Sequence, residues 1–201
     1  MWYENLFNLV SNSPIKGYSL IIMSLIITGV MVWVSLDDIF HQEIYFWKLL
    51  IAGASTIILP FIVSLIMGKY LLSACIAGSA VLWIVFLAIN ILKNNDNFIG
   101  KADIDIVTAV GSLYLGGSVW IWLTAKSKDI ALIQLNYLWY NFMLYLLIGS
   151  LFVIFIFLII FGIRLLQKKT HIGFLFKFTK VAVIPMLLPV SVVAPLVLLT
   201  M

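Results

Sequence analysis

Uncharged apolar runs alternate with short polar breaks along almost the entire 201-residue chain. The pattern predicts helices over about 18–36, 49–67, 70–92, 103–125, 138–163 and 181–201. Each is long enough to cross a hydrocarbon layer about 30 Å thick at about 1.5 Å per residue. Gly68-Lys69 is too short to be more than a tight turn, so the second and third segments return antiparallel. Pro60 lies inside the second, and Pro185, Pro189 and Pro195 interrupt the sixth. A bundle tolerates such breaks because neighbouring helices re-satisfy the freed backbone groups. Before the first segment, Trp2, Tyr3 and Phe7 suit the headgroup level.

Composition agrees with the pattern: 64% of residues are hydrophobic and 10% charged, and mean hydropathy is +1.19. The fold class read from this is all-α, a polytopic membrane protein with six transmembrane helices in one domain, 1–201. The charged N-terminal residues Glu4 and Lys16 and a long following apolar run argue that the first segment is retained rather than cleaved as a signal peptide. The net charge of +4 concerns topology rather than nucleic acid. Lys48, Lys93, Lys101, Arg164, Lys168, Lys169, Lys177 and Lys180 fall on one side, against Lys16, Lys69, Lys126 and Lys128 on the other. The richer side is expected to be cytoplasmic, with both termini outside. The basic, aromatic stretch 164–180, with His171, reads as an interfacial anchor, and the aromatic run Tyr137–Tyr145 as a headgroup belt. Cys75, the single cysteine, excludes an intramolecular disulfide and a CxxC zinc module.

The acids are not spread evenly. Asp37-Asp38-Ile39-Phe40-His41-Gln42-Glu43 follows the first segment, and Asn94–Asp105 carries Asp96, Asp103 and Asp105 into the fourth. Both clusters belong to the same side. Carboxylates at a membrane boundary are costly unless they face water or a bundle interior. Two of them brought close share a proton, because one pKa rises. Such a pair hydrolyses an amide without metal or cofactor: the ionised acid takes a proton from water while the protonated one polarises the carbonyl. Asp37 and Asp38 stand about 100° apart on a helix, and Asp103 and Asp105 roughly 200°. One member of each pair is therefore a bystander, and geometry leaves open which.

Gly100-Lys101-Ala102-Asp103-Ile104, with Ala109-Val110-Gly111 beyond, resembles the G-x-G-D or G-x-A-D motif of the type IV prepilin and preflagellin peptidases. Ser35-Leu36-Asp37-Asp38-Ile39 with Ile44 resembles that family's first motif. The resemblance implies a GxGD-type membrane aspartic protease with Asp38 and Asp103 as the catalytic pair. Ile39, Ile44, Gly100 and Ala102 complete the motifs. Asp37, His41, Lys101 and Asp105 would tune the site or touch substrate. Two positions depart from the pattern: Tyr45 follows Ile44 where a proline is usual, and Asp105 stands where a lysine is common. The chain has neither the cysteines nor the loop length of the bacterial insertion, so it is similar to the compact archaeal, protease-only form. The implied partners are prepilin-like or pre-archaellin precursors with a basic leader and a hydrophobic helix, cut at the cytoplasmic face of the plasma membrane. Other readings are a noncatalytic assembly factor for surface filaments and a small proton- or cation-coupled transporter. The transporter expects acids deep in the helices, where segments one, two, three, five and six have none.

At a helix N-terminus the dipole favours an anion, and at a C-terminus it disfavours one. Asp103 is therefore expected to be the more ionised acid and Asp38 the more readily protonated.

Overall fold

The computed structural model describes residues 2–41, 46–92, 101–166 and 183–201; it gives no side-chain description for 37–41, 46, 90–92, 101–105, 157, 160, 161, 163–166, 183 and 184. The described residues form helices α1 (Trp2–Asn12), α2 (Pro14–His41), α3 (Phe46–Ile66), α4 (Tyr70–Leu92), α5 (Lys101–Thr124), α6 (Lys128–Leu166) and α7 (Val183–Thr200). Five of them, α2 to α6, are long and apolar enough to span a bilayer. The protein is a polytopic, all-helical membrane protein.

Helix α7 stands in the place of the sixth expected segment. Its described apolar stretch, Pro185–Thr200, is shorter than the five spans. It is also the centre of the bundle, packing on α1, α2, α3, α5 and α6. Val193 to Thr200 are all buried. A helix that is apolar all round needs apolar neighbours on every side, and here protein supplies most of them. Pro189 and Pro195 cannot donate to the carbonyls four residues back. Packing on neighbouring helices holds α7 together across both breaks.

The register of the bundle follows from a few close contacts. The turn after α3 is a Schellman motif: Gly68, at φ 76°, donates to the Leu65 carbonyl at 3.0 Å, and Lys69 N–H to that of Ser64 at 2.8 Å. Only glycine takes this left-handed position without strain. Trp83 of α4 lies against Gly53 of α3, as an antiparallel hairpin about this turn requires. Gly116 of α5 meets Cys75 and Ser79 of α4, and Gly117 meets Leu198 of α7. Lipid is as apolar as leucine, so helix association in a bilayer depends on such close backbone approach. Gly111, on the same helix, has nothing within 4 Å of where a β-carbon would stand.

Helix α6 begins ten residues before the expected 138. Ser127 Oγ caps it by accepting from the Ile130 N–H at 3.3 Å, and Asp129 lies in its first turn, where the dipole favours an acid. The Tyr137–Tyr145 run therefore falls within the helix rather than at its mouth. Trp139 and Phe142 pack on the buried Tyr114 ring of α5, with centroids 5.7 and 4.8 Å away. Trp139 and Phe142 thus serve helix packing, while Tyr140 stays exposed.

Candidate functional site at the acid-bearing end

The antiparallel order of α2 to α5 brings the C-terminus of α2 and the N-terminus of α5 to one end of the bundle. Asp37, Asp38, Ile39 and His41 lie in the last turns of α2, and Lys101, Ala102, Asp103 and Asp105 in the first turns of α5. Ile44, Tyr45 and Gly100 lie outside the described residues. Among the described residues α2 and α5 do not pack on one another. Helices α3 and α7 each touch both.

The helical phase distinguishes the neighbouring acids. Asp38 continues the stripe Ile27–Met31–Val34, the middle of the buried face of α2. Asp37 continues the register of Trp33, which is partly exposed and stacks on Trp47 of α3 at 5.3 Å. On α5, Asp103 continues the stripe Ile106–Val110–Tyr114–Gly117, which meets α6 and α7. Asp105 continues Ala109–Ser112–Gly116, which meets α4. The Asp103 register thus belongs to the face of α5 that meets α6 and α7, the Asp105 register to the equally buried face that meets α4, and the Asp38 register to the buried face of α2.

Two further features stand near this end. Lys48 lies over the rings of Trp33 and Trp47, 5.1 and 5.6 Å from their centroids, a cation–π pair that ties the end of α2 to the start of α3. Ser35, one turn before Asp38, is 5% exposed, and its hydroxyl has no hydrogen-bond partner. Most helix hydroxyls here donate back to a carbonyl three or four residues earlier, as Ser24 and Thr28 do. Ser19 bonds the Lys16 carbonyl in the same manner, and Ser35 is the exception among the serines and threonines of α2. Sequence reasoning had no signal for it beyond its place in the first motif.

The opposite end is closed. Lys69 donates to the Leu199 carbonyl at 2.8 Å and lies 5.3 Å from the Trp120 ring centroid. Asn5 Nδ2 donates to the Thr200 carbonyl at 3.2 Å, and the Trp2 N–H to the Tyr137 hydroxyl at 3.3 Å. A cation and an amide at a helix C-terminus satisfy carbonyls that have no intrahelical donor. Burial pulls Lys69 down to about 8. A cleft of about 290 Å³ between α1, α6 and α7 is lined by Trp2, Asn5, Tyr137, Thr200 and Met201. It presents no acid–base pair.

No protein-family model, no curated protein and no solved structure matches the chain.

Proposed function

We propose that the chain is a membrane aspartic endopeptidase that removes a short basic leader from prepilin-like or pre-archaellin precursors at the cytoplasmic face of the plasma membrane. The observation that carries this reading is the pairing of motif and register. Each aspartate selected by the resemblance, Asp38 or Asp103, has the helical register of a buried stripe, and both lie at the same end of the bundle. Asp37 and Asp105 continue other registers.

In the proposed reaction, ionised Asp103 accepts a proton from water as the oxygen attacks the scissile carbonyl carbon. Protonated Asp38 donates a hydrogen bond to the carbonyl oxygen. Collapse of the tetrahedral species breaks the C–N bond, and the amine leaves with a proton from the pair. The helix termini bias the two acids in this sense: the N-terminus of α5 favours an anion and the C-terminus of α2 a neutral acid. The lysine distribution orients the acid-bearing end toward the cytoplasm and both termini outside, where a leader preceding a membrane helix becomes accessible.

The intervening α3 and α7 favour one other reading, a noncatalytic assembly factor for surface filaments that keeps the motif positions without using them as a dyad. Incubation of membranes with a prepilin-type precursor separates the two. The peptidase gives a shortened product with wild type and none with Asp38→Asn or Asp103→Asn. A panel of precursors left intact by equally expressed, folded protein would sink the peptidase reading.

A further inference from the structure

The C-terminus of α7 carries two arrangements of one composition. In the first, the Lys69 ammonium donates to the Leu199 carbonyl at 2.8 Å and lies 5.3 Å from the centroid of the Trp120 ring. A carbonyl at the negative end of a helix dipole and an aromatic face both attract a cation. Here the chain supplies that cation itself, from the turn between α3 and α4.

The second arrangement begins one residue further along. Thr200 lines the cleft of about 290 Å³ between α1, α6 and α7, together with Trp2, Asn5, Tyr137 and Met201. Its carbonyl accepts from Asn5 Nδ2 at 3.2 Å, and a carbonyl oxygen has a second lone pair to offer. Asn5 Oδ1 is a further acceptor. Trp2 and Tyr137 contribute two aromatic side chains, and the bond from the Trp2 N–H to the Tyr137 hydroxyl holds the start of α1 on α6. None of the five residues has a charged side chain. The lining thus repeats the surroundings of Lys69, carbonyl and aromatic ring together, with no lysine among its members.

The level of the cleft in the bilayer narrows the choice of guest. Lys69 stands in the turn between two spanning helices, and its bond to Leu199 sets the end of α7 at that depth. The cleft therefore opens where lipid headgroups lie. Its volume is near the lower bound of small-molecule sites, so it takes a headgroup rather than a whole lipid. An anion there would meet carbonyl oxygens and the negative end of a dipole. An ammonium is attracted by both and by the aromatic faces as well.

We infer that this cleft binds an ammonium group, that of an amine-bearing membrane lipid. The ammonium donates to the Thr200 carbonyl and to Asn5 Oδ1, with Trp2 and Tyr137 beside the charge. A headgroup held there bridges α1, α6 and α7 at the closed end of the bundle, as Lys69 bridges the α3–α4 turn and α7. The site is remote from the acids and does not depend on the peptidase reading.

The test uses the full chain in detergent micelles, loaded with phosphatidylethanolamine and phosphatidylglycerol of the same acyl chains at equal concentration. Native mass spectrometry counts the lipid retained. Phosphatidylethanolamine should be retained over phosphatidylglycerol by about fivefold or more. Asn5→Lys brings the chain's own ammonium to the cleft, as Lys69 does at Leu199. It should abolish that preference with the melting temperature equal or higher. Trp2→Leu, which removes an aromatic face, should weaken the preference, and Trp122→Leu, on the exposed side of α5, should leave it intact. A preference that survives Asn5→Lys in folded protein overturns the site. Equal retention of the two lipids by wild type overturns the lipid as the source. If free ethanolamine then raises the melting temperature of wild type and not of Asn5→Lys, the ammonium site stands with a soluble amine as its ligand. If it raises neither, the site falls as well.

Discussion

The two ends of this bundle are built on opposite principles. At the Lys69 end the carbonyls of Leu199 and Thr200 both find donors, a Schellman turn closes α3 onto α4, and α1 covers α7. Toward the acid-bearing end, among the described residues, α2 and α5 do not pack on one another and the buried Ser35 hydroxyl has no hydrogen-bond partner. A helical membrane protein obtains its stability from close backbone contact, so the closed end carries rigidity. Under the peptidase reading, chemistry falls at the other end, the one that carries the acids.

The largest expected effect comes from breaking the acid-bearing end. Asp38→Asn and Asp103→Asn should each lower precursor cleavage by about 10³-fold or more, while Asp37→Asn and Asp105→Asn stay within about tenfold. Gel-shift rates in membranes decide it. Equal losses at Asp37 and Asp38 would undo the register argument. Carboxylate infrared titration of the same variants should find the acid remaining in D38N titrating below the one remaining in D103N. The reverse order would contradict the dipole assignment; because the pair is coupled, the comparison concerns site preference.

Closed-end and mid-bundle packing should be far less forgiving of bulk. A β-carbon at Gly149 would collide with the Met186 carbonyl, so Gly149→Val should destabilise by about 3 kcal/mol, seen as a lower melting temperature in detergent. At Gly111, where nothing lies within reach, the same substitution should stay within about 1 kcal/mol.

Lys69 gives a smaller, pH-dependent signature. Its pKa is lowered from 10.5 to about 8 by burial. Between those values the unfolded chain holds more protons than the folded one, so stability rises with pH across that window. The gain should be about 1–3 kcal/mol, reduced by the carbonyl and Trp120 contacts that favour the charged form. Lys69→Met should abolish the slope in melting scans from pH 7.5 to 10.5.

The smallest effect belongs to Ser35→Ala. Removing a buried, unpaired hydroxyl should leave the fold unchanged or stabilise it by up to about 1 kcal/mol. Melting scans in detergent check it, and a loss above about 1 kcal/mol would show that the hydroxyl has a partner.

The spans from α2 to α5 were legible because uncharged runs bounded by lysine, asparagine and glycine have few other uses. The place of α7 was not legible, because a helix apolar on all sides reads alike whether lipid or protein surrounds it. The start of α6 was hidden for a related reason: aromatic residues serve an interface or a helix contact equally well, so the Tyr137–Tyr145 run reads as the mouth of a helix that begins at Lys128. Of the candidate site, the motifs and the shared end were readable. The distinction between Asp37 and Asp38 needed the burial of Val34 and the exposure of Trp33, which are properties of the packed bundle. The unpaired Ser35 hydroxyl could not be anticipated, since serines elsewhere in α2 bond to their own backbone.

The central position of α7 also bears on how the protein is made. Helices α2 to α6 leave the ribosome before the helix around which they gather, so the nascent bundle is for a time a ring without a hub. A helix that is apolar on all sides and interrupted by Pro189 and Pro195 is better retained by companions that already offer it an apolar slot. The Lys69 contact to Leu199 would then act as the latch that ends assembly.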